Sequence, residues 1–303
     1  MGVAERLLQR EVAPLGVRTT FTADDPRLLA AAVAACPDSP PQFHEPGNAI
    51  EIRLEAANIP SFDLSCRIEV EGSRIAVTGA DFRGYADAET KSGVCQVPLR
   101  LMLEPEAFSA ELLDPILLFL LARSGRTPIH AAGIMIGDCA LLLAGPSGSG
   151  KSTLAQAAVE RGLRILSDDT VYVQLRPAFR AWGLPRPVHL LPNEAPPGDY
   201  PQRHRAGRIK SAVPLPPAAS APVADQARLV LLEPGGGPAL SVIPGEEAQA
   251  ALGRLEPGFD LLPEKSAVAV RMLTADGAWR LTLGRDPRAA IGLLVDQFAG
   301  AGE

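Results

Sequence analysis

The sequence predicts an α/β fold in which a P-loop nucleotide-binding core follows a small α+β domain. Residues 145–153 match the pattern G-x-x-x-x-G-K-[ST]. The apolar run 140–144 precedes them, as expected of a buried parallel strand, and the helix-forming sequence 153–160 follows. A glycine-rich loop between a strand and a helix N-terminus binds phosphate, because backbone N–H groups and the helix dipole attract its oxygens. A chance match in a glycine-rich turn is the alternative, and the flanking strand and helix disfavour it.

The first domain, residues 1–104, has helix and strand patterns but no recognisable catalytic or ligand-binding motif. Asp25-Pro26 predicts the start of a helix that runs to about Cys36, since proline suits the first helical turn. A further strand is expected within 94–102. Alternating apolar and polar residues predict half-buried antiparallel strands at 50–54, 67–70 and 74–77. The domain is either a structural or oligomeric module or a substrate-recognition domain.

The second domain, residues 105–303, contains the nucleotide-binding core. A long helical stretch is predicted up to Ser124, and the strand 128–136 is expected to form a hairpin with the apolar run 140–144. The remaining predicted elements are a strand at 228–232, a helix that opens at 245, a hairpin of 266–273 with 279–283, and a final helix from Asp286-Pro287 to Phe298.

A proline-rich segment interrupts this domain. Residues 185–222 contain ten prolines, a density that is incompatible with regular helix or a central strand. We therefore expect a long loop, interpreted as a mobile lid over substrate or phosphate. For its tip, 214–222, the alternative is an insertion without a role.

The loop residues have distinct expected roles. Lys151 is expected to reach the β- and γ-phosphates, and the Ser152 hydroxyl to ligate Mg²⁺. The predicted nucleotide-binding residues are Gly145, Pro146, Ser147, Gly148, Ser149, Gly150, Lys151, Ser152 and Thr153.

Two adjacent acidic residues come after the predicted helix 153–160. Asp168 and Asp169 come after the apolar segment 164–166, in the manner of a carboxylate that helps to hold Mg²⁺. Neighbours on a regular strand point to opposite faces, so both acids face a nucleotide only at a strand end or a bulge. One interpretation assigns one acid to the metal and the other to a base that acts on an incoming hydroxyl. The other interpretation is one metal ligand and one acid that caps a helix or turn.

These motifs in this order resemble the catalytic core of the HPr kinase/phosphorylase family, which shares its nucleotide-binding fold with phosphoenolpyruvate carboxykinase. The resemblance covers 129–173: His130-x-x-Gly133, a turn, an apolar strand, the loop, a helix and Ser-Asp-Asp. The amino-acid sequence of the loop and of the Ser-Asp-Asp segment looks closest to HPr kinase-related proteins. Some of these are peptide-tailoring kinases that phosphorylate a serine.

The resemblance implies roles for particular residues. Asp168 matches the acid that deprotonates the acceptor hydroxyl, and Asp169 a second acid near the metal. His130 matches a histidine that supports the catalytic acid. ATP and Mg²⁺ are implied as cofactors, and a homo-oligomer is implied because HPr kinases assemble as hexamers.

The chain also departs from the family pattern. The glycine-rich L-E-I-R-G-x-G segment of HPr kinases is absent, and 182–190 has a different sequence. Related proteins often carry a lysine after this region, for which Lys210 is the candidate, as a charge that offsets the transferred phosphoryl group. The surrounding basic cluster, 202–210, either clamps phosphates or an acidic substrate or is a solvated loop. Arg208 is a weaker candidate there.

We expect a kinase that transfers the ATP γ-phosphoryl group to a hydroxyl, that of serine in a peptide, protein or small molecule. The alternative is a P-loop NTPase switch or nucleotide-binding regulator that acts on a protein partner. Neither an N-K-x-D nor an L-S-G-G-Q motif occurs, which disfavours GTPases and ABC proteins.

Composition excludes several other classes. The chain of 303 residues has a net charge of −6 and a pI near 5.4, which disfavours nucleic-acid binding. No apolar run approaches the roughly 20 residues that span a bilayer. The four cysteines are scattered without a C-x-x-C pair, so a zinc site is not expected. We expect a cytoplasmic protein that binds neither membrane nor nucleic acid.

Overall fold

The computed structural model describes residues 7–47, 49–58, 66–205, 207–253 and 263–299. The chain is a mixed α/β protein that forms two compact units, Met1–Arg126 and Thr127–Glu303. Within the described residues, none of the helices combines the length and apolarity needed to cross a bilayer.

The first unit is built on a seven-stranded sheet with the order β1-β2-β3-β7-β6-β5-β4. Its strands are β1 (Leu8–Val12), β2 (Arg18–Ala23), β3 (Ala49–Ala56), β4 (Arg67–Glu71), β5 (Arg74–Thr78), β6 (Arg83–Asp87) and β7 (Ser92–Val97). Its helices are α1 (Pro26–Ala35), α2 (Leu99–Leu103), α3 (Pro105–Phe108) and α4 (Asp114–Arg123), with a π-helical turn before α4.

Helix α1 begins where the sequence predicts it, because the Asp25 carboxylate caps it by accepting from the Arg27 N–H. The predicted antiparallel pairing of 50–54 is wrong, since β3 is parallel to both β2 and β7. The reason is that α1 links β2 to β3 as a crossover, which returns the chain in the same direction. The hairpin β4–β5 is antiparallel as expected.

The boundary between the two units follows Arg126, whereas the sequence predicts a domain boundary at 104/105. The helical stretch up to Arg126 belongs to the first unit, because α4 packs on β5 and β6. The contact is close: a Cβ on Gly84 would lie 2.7 Å from the Leu112 side chain, and one on Gly93 would lie 3.0 Å from Ile116. Bulky helix residues therefore fill the space above these glycines.

Among its described residues, the second unit has three sheets. The largest has the order β11-β9-β10-β18-β20-β19, beside sheets ordered β17-β13-β12-β8 and β14-β16-β15. The strands are β8 (Thr127–Ile129), β9 (Ala131–Ile136), β10 (Cys139–Ala144), β11 (Ile165–Ser167), β12 (Val171–Gln174), β13 (Arg180–Trp182), β14 (Val188–Leu190), β15 (Gln202–Arg205), β16 (Arg208–Val213), β17 (Val223–Ala224), β18 (Gln226–Pro234), β19 (Ala239–Ile243) and β20 (Ala278–Leu283). The helices are α5 (Lys151–Glu160), α6 (Gly245–Leu252), α7 (Pro263–Leu273) and α8 (Pro287–Phe298).

Two cores cover the two faces of the six-stranded sheet. On one face α5 and α8 pack against Leu141 and Leu143. On the other face β12, β13, α6 and α7 surround Leu142 and Ala144. Strand β10 is parallel to β18, which is parallel to β20, while β9 forms the expected antiparallel hairpin with β10. The carboxyl end of a buried strand is thereby fixed at the start of α5.

Two expectations for this unit are wrong. Residues 266–273 are helix α7 rather than a strand, because the residues that it buries, Ala269 and Leu273, are spaced by one helical turn. The segment 185–222 is not one long loop but contains β14, β15 and β16. All ten prolines lie outside these three strands, so none of them removes a ladder hydrogen bond. The final helix α8 begins at Pro287 after its Asp286 cap, as predicted.

Candidate functional site

The glycine-rich loop, residues 145–150, connects the end of β10 to the first turn of α5. Gly148 and Gly150 have φ angles of 82° and 93°, in the left-handed region that only glycine adopts without strain. A Cβ on Gly145 would lie 2.6 Å from Ser149 Oγ. The loop conformation therefore depends on glycine at all three positions.

Lys151 folds back across this loop. Its Nζ donates hydrogen bonds to the carbonyl oxygens of Gly145, at 2.7 Å, and Pro146, at 3.2 Å. The side chain is buried, and burial lowers its pKa below the ordinary 10.5. Asp169 and Asp168 oppose this lowering and Lys210 adds to it, so all three charges are within electrostatic reach of the Lys151 ammonium.

The same loop carries a buried hydroxyl, that of Ser149. Within the described residues, the buried Oγ of Ser149 has no hydrogen-bond partner. Buried polar atoms are normally paired, so an unpaired one calls for a water, an ion or a ligand. On the first turn of α5, Ser152 is half-buried, and Thr153 Oγ1 donates to Glu194 Oε2 at 3.2 Å.

The two acids lie beyond the end of β11, in the turn that leads to β12. The Ser167 hydroxyl oxygen holds this turn by accepting from the N–H groups of Asp169, at 3.2 Å, and Thr170, at 3.1 Å. Adjacent side chains in such a turn are free of strand alternation, which is the strand-end arrangement that the sequence predicts for two acids facing one ligand.

The acids differ in environment. Asp168 is buried, and its Oδ2 accepts a 2.9 Å hydrogen bond from the backbone N–H of His189. The Asp169 side chain is 42% exposed, and its Oδ1 lies 3.6 Å from Nδ1 of His130. That contact is an ion pair when the imidazole is protonated. A buried, oriented carboxylate and an accessible one thus stand side by side.

The three-stranded sheet β14-β16-β15 contributes the remaining polar groups. It supplies the His189 N–H from β14 and the half-buried Lys210 from β16. Arg208 of β16 lies close to the loop, since a Cβ on Gly148 would be 3.8 Å from its Nη1. The His189 N–H and Glu194 were not found from the sequence, because a backbone donor and an exposed carboxylate have no distinctive residue pattern.

The donors present fit Mg²⁺ with a phosphate ligand. Among the described residues, no group of three or more His, Cys, Asp or Glu side chains could hold a metal by itself. Mg²⁺ does not require one, since it takes one or two carboxylates together with substrate phosphates and waters. The Ser152 hydroxyl and the Asp169 carboxylate are oxygen donors of that kind, and a glycine-rich loop at a helix N-terminus is a backbone arrangement that suits phosphate.

Comparison with known proteins gives one short sequence similarity. No protein-family model matches the chain. HPr kinase/phosphorylases from three strains of Streptococcus thermophilus are 38% identical to it over 68 residues, which is 22% of this chain and 22% of each relative. The chain therefore matches about a fifth of the length of these relatives.

Among solved structures, the Hpr(Ser) kinase/phosphatase from Coxiella burnetii aligns with 57% of this chain and 95% of its own, at 11% identity and a TM-score of 0.30. The sequence similarity relates a segment of this chain to the HPr kinase/phosphorylases.

Proposed function

We propose that this protein is an ATP- and Mg²⁺-dependent kinase that transfers the γ-phosphoryl group to a hydroxyl, that of serine in a peptide, protein or small molecule. The observation that carries the proposal is the convergence of charges at one loop. The Lys151 ammonium at the start of α5 is within electrostatic reach of both Asp168 and Asp169. A phosphate cradle with two adjacent carboxylates suits phosphoryl transfer, where positioning and electrostatics supply most of the catalysis.

Lys151 and the loop bind the phosphates in this proposal. The N–H groups of the loop and the first turn of α5 hold phosphate oxygens. Lys151 exchanges its hydrogen bonds with the carbonyls of Gly145 and Pro146 for bonds to the β- and γ-phosphates.

Asp168 is the proposed base. The His189 N–H orients its carboxylate, which in this proposal accepts the proton of the acceptor hydroxyl. As that proton leaves, the acceptor oxygen bonds to the γ-phosphorus. The bond between the γ-phosphorus and the β-phosphate oxygen breaks, and ADP departs.

Asp169 and Ser152 are the proposed oxygen ligands of Mg²⁺. The metal, when bound, neutralises charge on the β- and γ-phosphates. His130 is proposed to orient Asp169 through their 3.6 Å contact. Lys210 offsets charge on the transferred group. The name of the curated relatives, HPr kinase/phosphorylase, adds support for a protein as one class of acceptor.

The test is transfer of label from γ-labelled ATP with Mg²⁺ to free serine, to serine-containing peptides and to protein acceptors. We expect labelled acceptor with the wild type and loss of label with Asp168→Asn, while nucleotide affinity stays near that of the wild type. Lys151→Ala should weaken both affinity and transfer. The matched control is Asp138→Asn, which alters an exposed acid in the turn between β9 and β10.

Full transfer by Asp168→Asn would contradict its role as the base. Release of phosphate that no acceptor stimulates would instead favour the nucleotide-hydrolysing switch. These two outcomes are separable because the first concerns one residue and the second concerns the reaction itself.

A further inference from the structure

The hairpin β15–β16 concentrates positive charge on one side. Arg203 and Lys210 are direct partners in its register, and directly opposite residues of an antiparallel pair share a face. Arg208 lies two residues from Lys210 on the same strand, so it shares that face too. Like charges directly opposite each other are unfavourable, and an anion bound between them would relieve the repulsion.

This charged side lies at the glycine-rich loop. The Arg208 guanidinium approaches the backbone of Gly148, with Nη1 3.8 Å from the position of a Cβ there. The Lys210 charge is close enough to Lys151 to repel it. Cations from two separate elements, α5 and the hairpin, therefore surround one loop.

Arg208 and Lys210 are not neutralised within the part of the chain that the structure describes. No hydrogen bond or salt bridge there engages the Arg208 guanidinium or the Lys210 ammonium. Other arginines of this unit do have carboxylate partners: Arg180 pairs with Asp225, Arg280 with Glu233, and Arg288 with Glu160. The same loop carries the unpaired Ser149 hydroxyl. The polar groups without protein partners thus gather where a phosphate would lie.

The hairpin is also anchored to the site. Its strand β16 pairs with β14, and the backbone N–H of His189 in β14 donates a hydrogen bond to Asp168. Just beyond β14, Glu194 accepts from Thr153 on α5. The backbone of the sheet is consequently tied to the acids and to the helix that begins at the loop.

We propose that Arg208, with Lys210 beside it, forms a second wall of the phosphate site opposite the glycine-rich loop. The site is then a two-sided clamp for a polyphosphate chain, which selects nucleoside di- and triphosphates over monophosphates. A guanidinium is suited to this role because its planar donors bind phosphate oxygens in pairs. The identity of the ligand as a nucleotide rests on the proposed function. The binding of a polyphosphate chain does not depend on it.

The test measures binding of MgATP, MgADP, AMP and inorganic tripolyphosphate by isothermal titration calorimetry. The variants are Arg208→Gln and the matched control Arg161→Gln. Arg161 is exposed at the far end of α5, about 15 Å from the loop at 1.5 Å per residue. Arg208 is exposed as well, so both variants should keep the thermal unfolding midpoint of the wild type.

We expect Arg208→Gln to weaken binding of ATP, ADP and tripolyphosphate by about tenfold or more, as for loss of a charged hydrogen bond. Binding of AMP should change little, and Arg161→Gln should match the wild type for every ligand. Equal tripolyphosphate affinity in Arg208→Gln and the wild type would overturn the clamp, and so would failure of the wild type to bind tripolyphosphate. Arg208-dependent binding of tripolyphosphate without binding of ATP would support the clamp and overturn the proposed kinase.

Discussion

The backbone N–H of His189 donates a 2.9 Å hydrogen bond to Oδ2 of the buried Asp168. This bond joins β14 to the turn after β11, although 21 residues separate its partners in the chain. Because the donor is a main-chain group, the orientation of Asp168 depends on where the small sheet β14-β16-β15 lies.

Replacement of His189 by proline tests this dependence. Proline has no N–H, so Asp168 would lose its orienting donor, while the extended backbone of β14 still accommodates the proline φ. If Asp168 is the base, we expect turnover to fall by about a hundredfold with little change in nucleotide affinity. The measurement is steady-state transfer with separate kcat and KM.

His189→Ala is the control, since it removes the imidazole and keeps the N–H. Turnover close to that of the wild type is expected. An equal loss in the alanine variant would assign the effect to the side chain instead of the hydrogen bond.

Nucleotide affinity should depend on alkaline pH through Lys151. Burial lowers the pKa of this lysine, so as pH rises it loses its proton before an ordinary lysine with a pKa of 10.5 does. Phosphate favours the charged form, so affinity should fall as pH passes through the lowered pKa, and binding above it should take up a proton. The same lowering makes the contribution of Lys151 to the free energy of unfolding increase with pH between the lowered pKa and 10.5.

Calorimetry of nucleotide binding in buffers of different ionisation enthalpy measures the proton uptake. Lys151→Arg keeps its charge throughout this range, so any affinity that it retains should lack the pH dependence. The same alkaline decline in the arginine variant would show that another group is responsible.

Gly183→Ala should disturb the acids from a distance. A Cβ there would lie 2.1 Å from the carbonyl oxygen of Leu166, in β11, so one of the two backbones would have to move. We expect a loss of about 1–3 kcal/mol in the free energy of unfolding, measured with urea, together with reduced transfer activity.

Gly236→Ala is the matched control for that substitution, because a Cβ at Gly236 would have no atom of the described residues beyond its chain neighbours within 4 Å, and its φ is not left-handed. Its stability should be equal to or above that of the wild type. Wild-type stability in Gly183→Ala would contradict the close approach to β11.

Helix α8 should depend on its cap. The Asp286 side chain accepts a 2.9 Å hydrogen bond from the Arg288 N–H, and Asp286→Ala removes it. The expected cost is about 1 kcal/mol of unfolding free energy, again measured with urea. Asp296→Ala changes an exposed acid near the other end of the same helix and should be close to neutral. Similar losses in both variants would indicate a general charge effect.

The parts of the fold that sequence predicts are those with local physical causes. The strand–loop–helix unit around residues 140–160 and the start of α8 at Pro287 follow from apolar patterning, glycine and capping. The parallel pairing of β3 could not be predicted, because it depends on how the crossover α1 returns the chain. Alternating alanines and valines in 266–273 suggested a strand, although burial of Ala269 and Leu273 requires a helix.

The site divides in the same way. Glycines, lysine and adjacent acids have residue-type signals that single out Lys151, Asp168 and Asp169 as candidates. The partner of Asp168 is a main-chain N–H, and the approach of Arg208 to Gly148 depends on the pairing of β14 with β16. Such contacts follow from tertiary geometry, for which the sequence has no local pattern.

The position of the prolines in 185–222 has a consequence for the unfolded chain. Each proline restricts the conformations available before folding, so fewer of them are lost when β14, β15 and β16 form. Since the prolines flank the strands without removing ladder bonds, this reduction in entropy cost comes without strain in the folded sheet. A segment whose composition suggests mobility thus has a smaller entropy cost for placing Arg208 near Gly148 and the His189 N–H at Asp168.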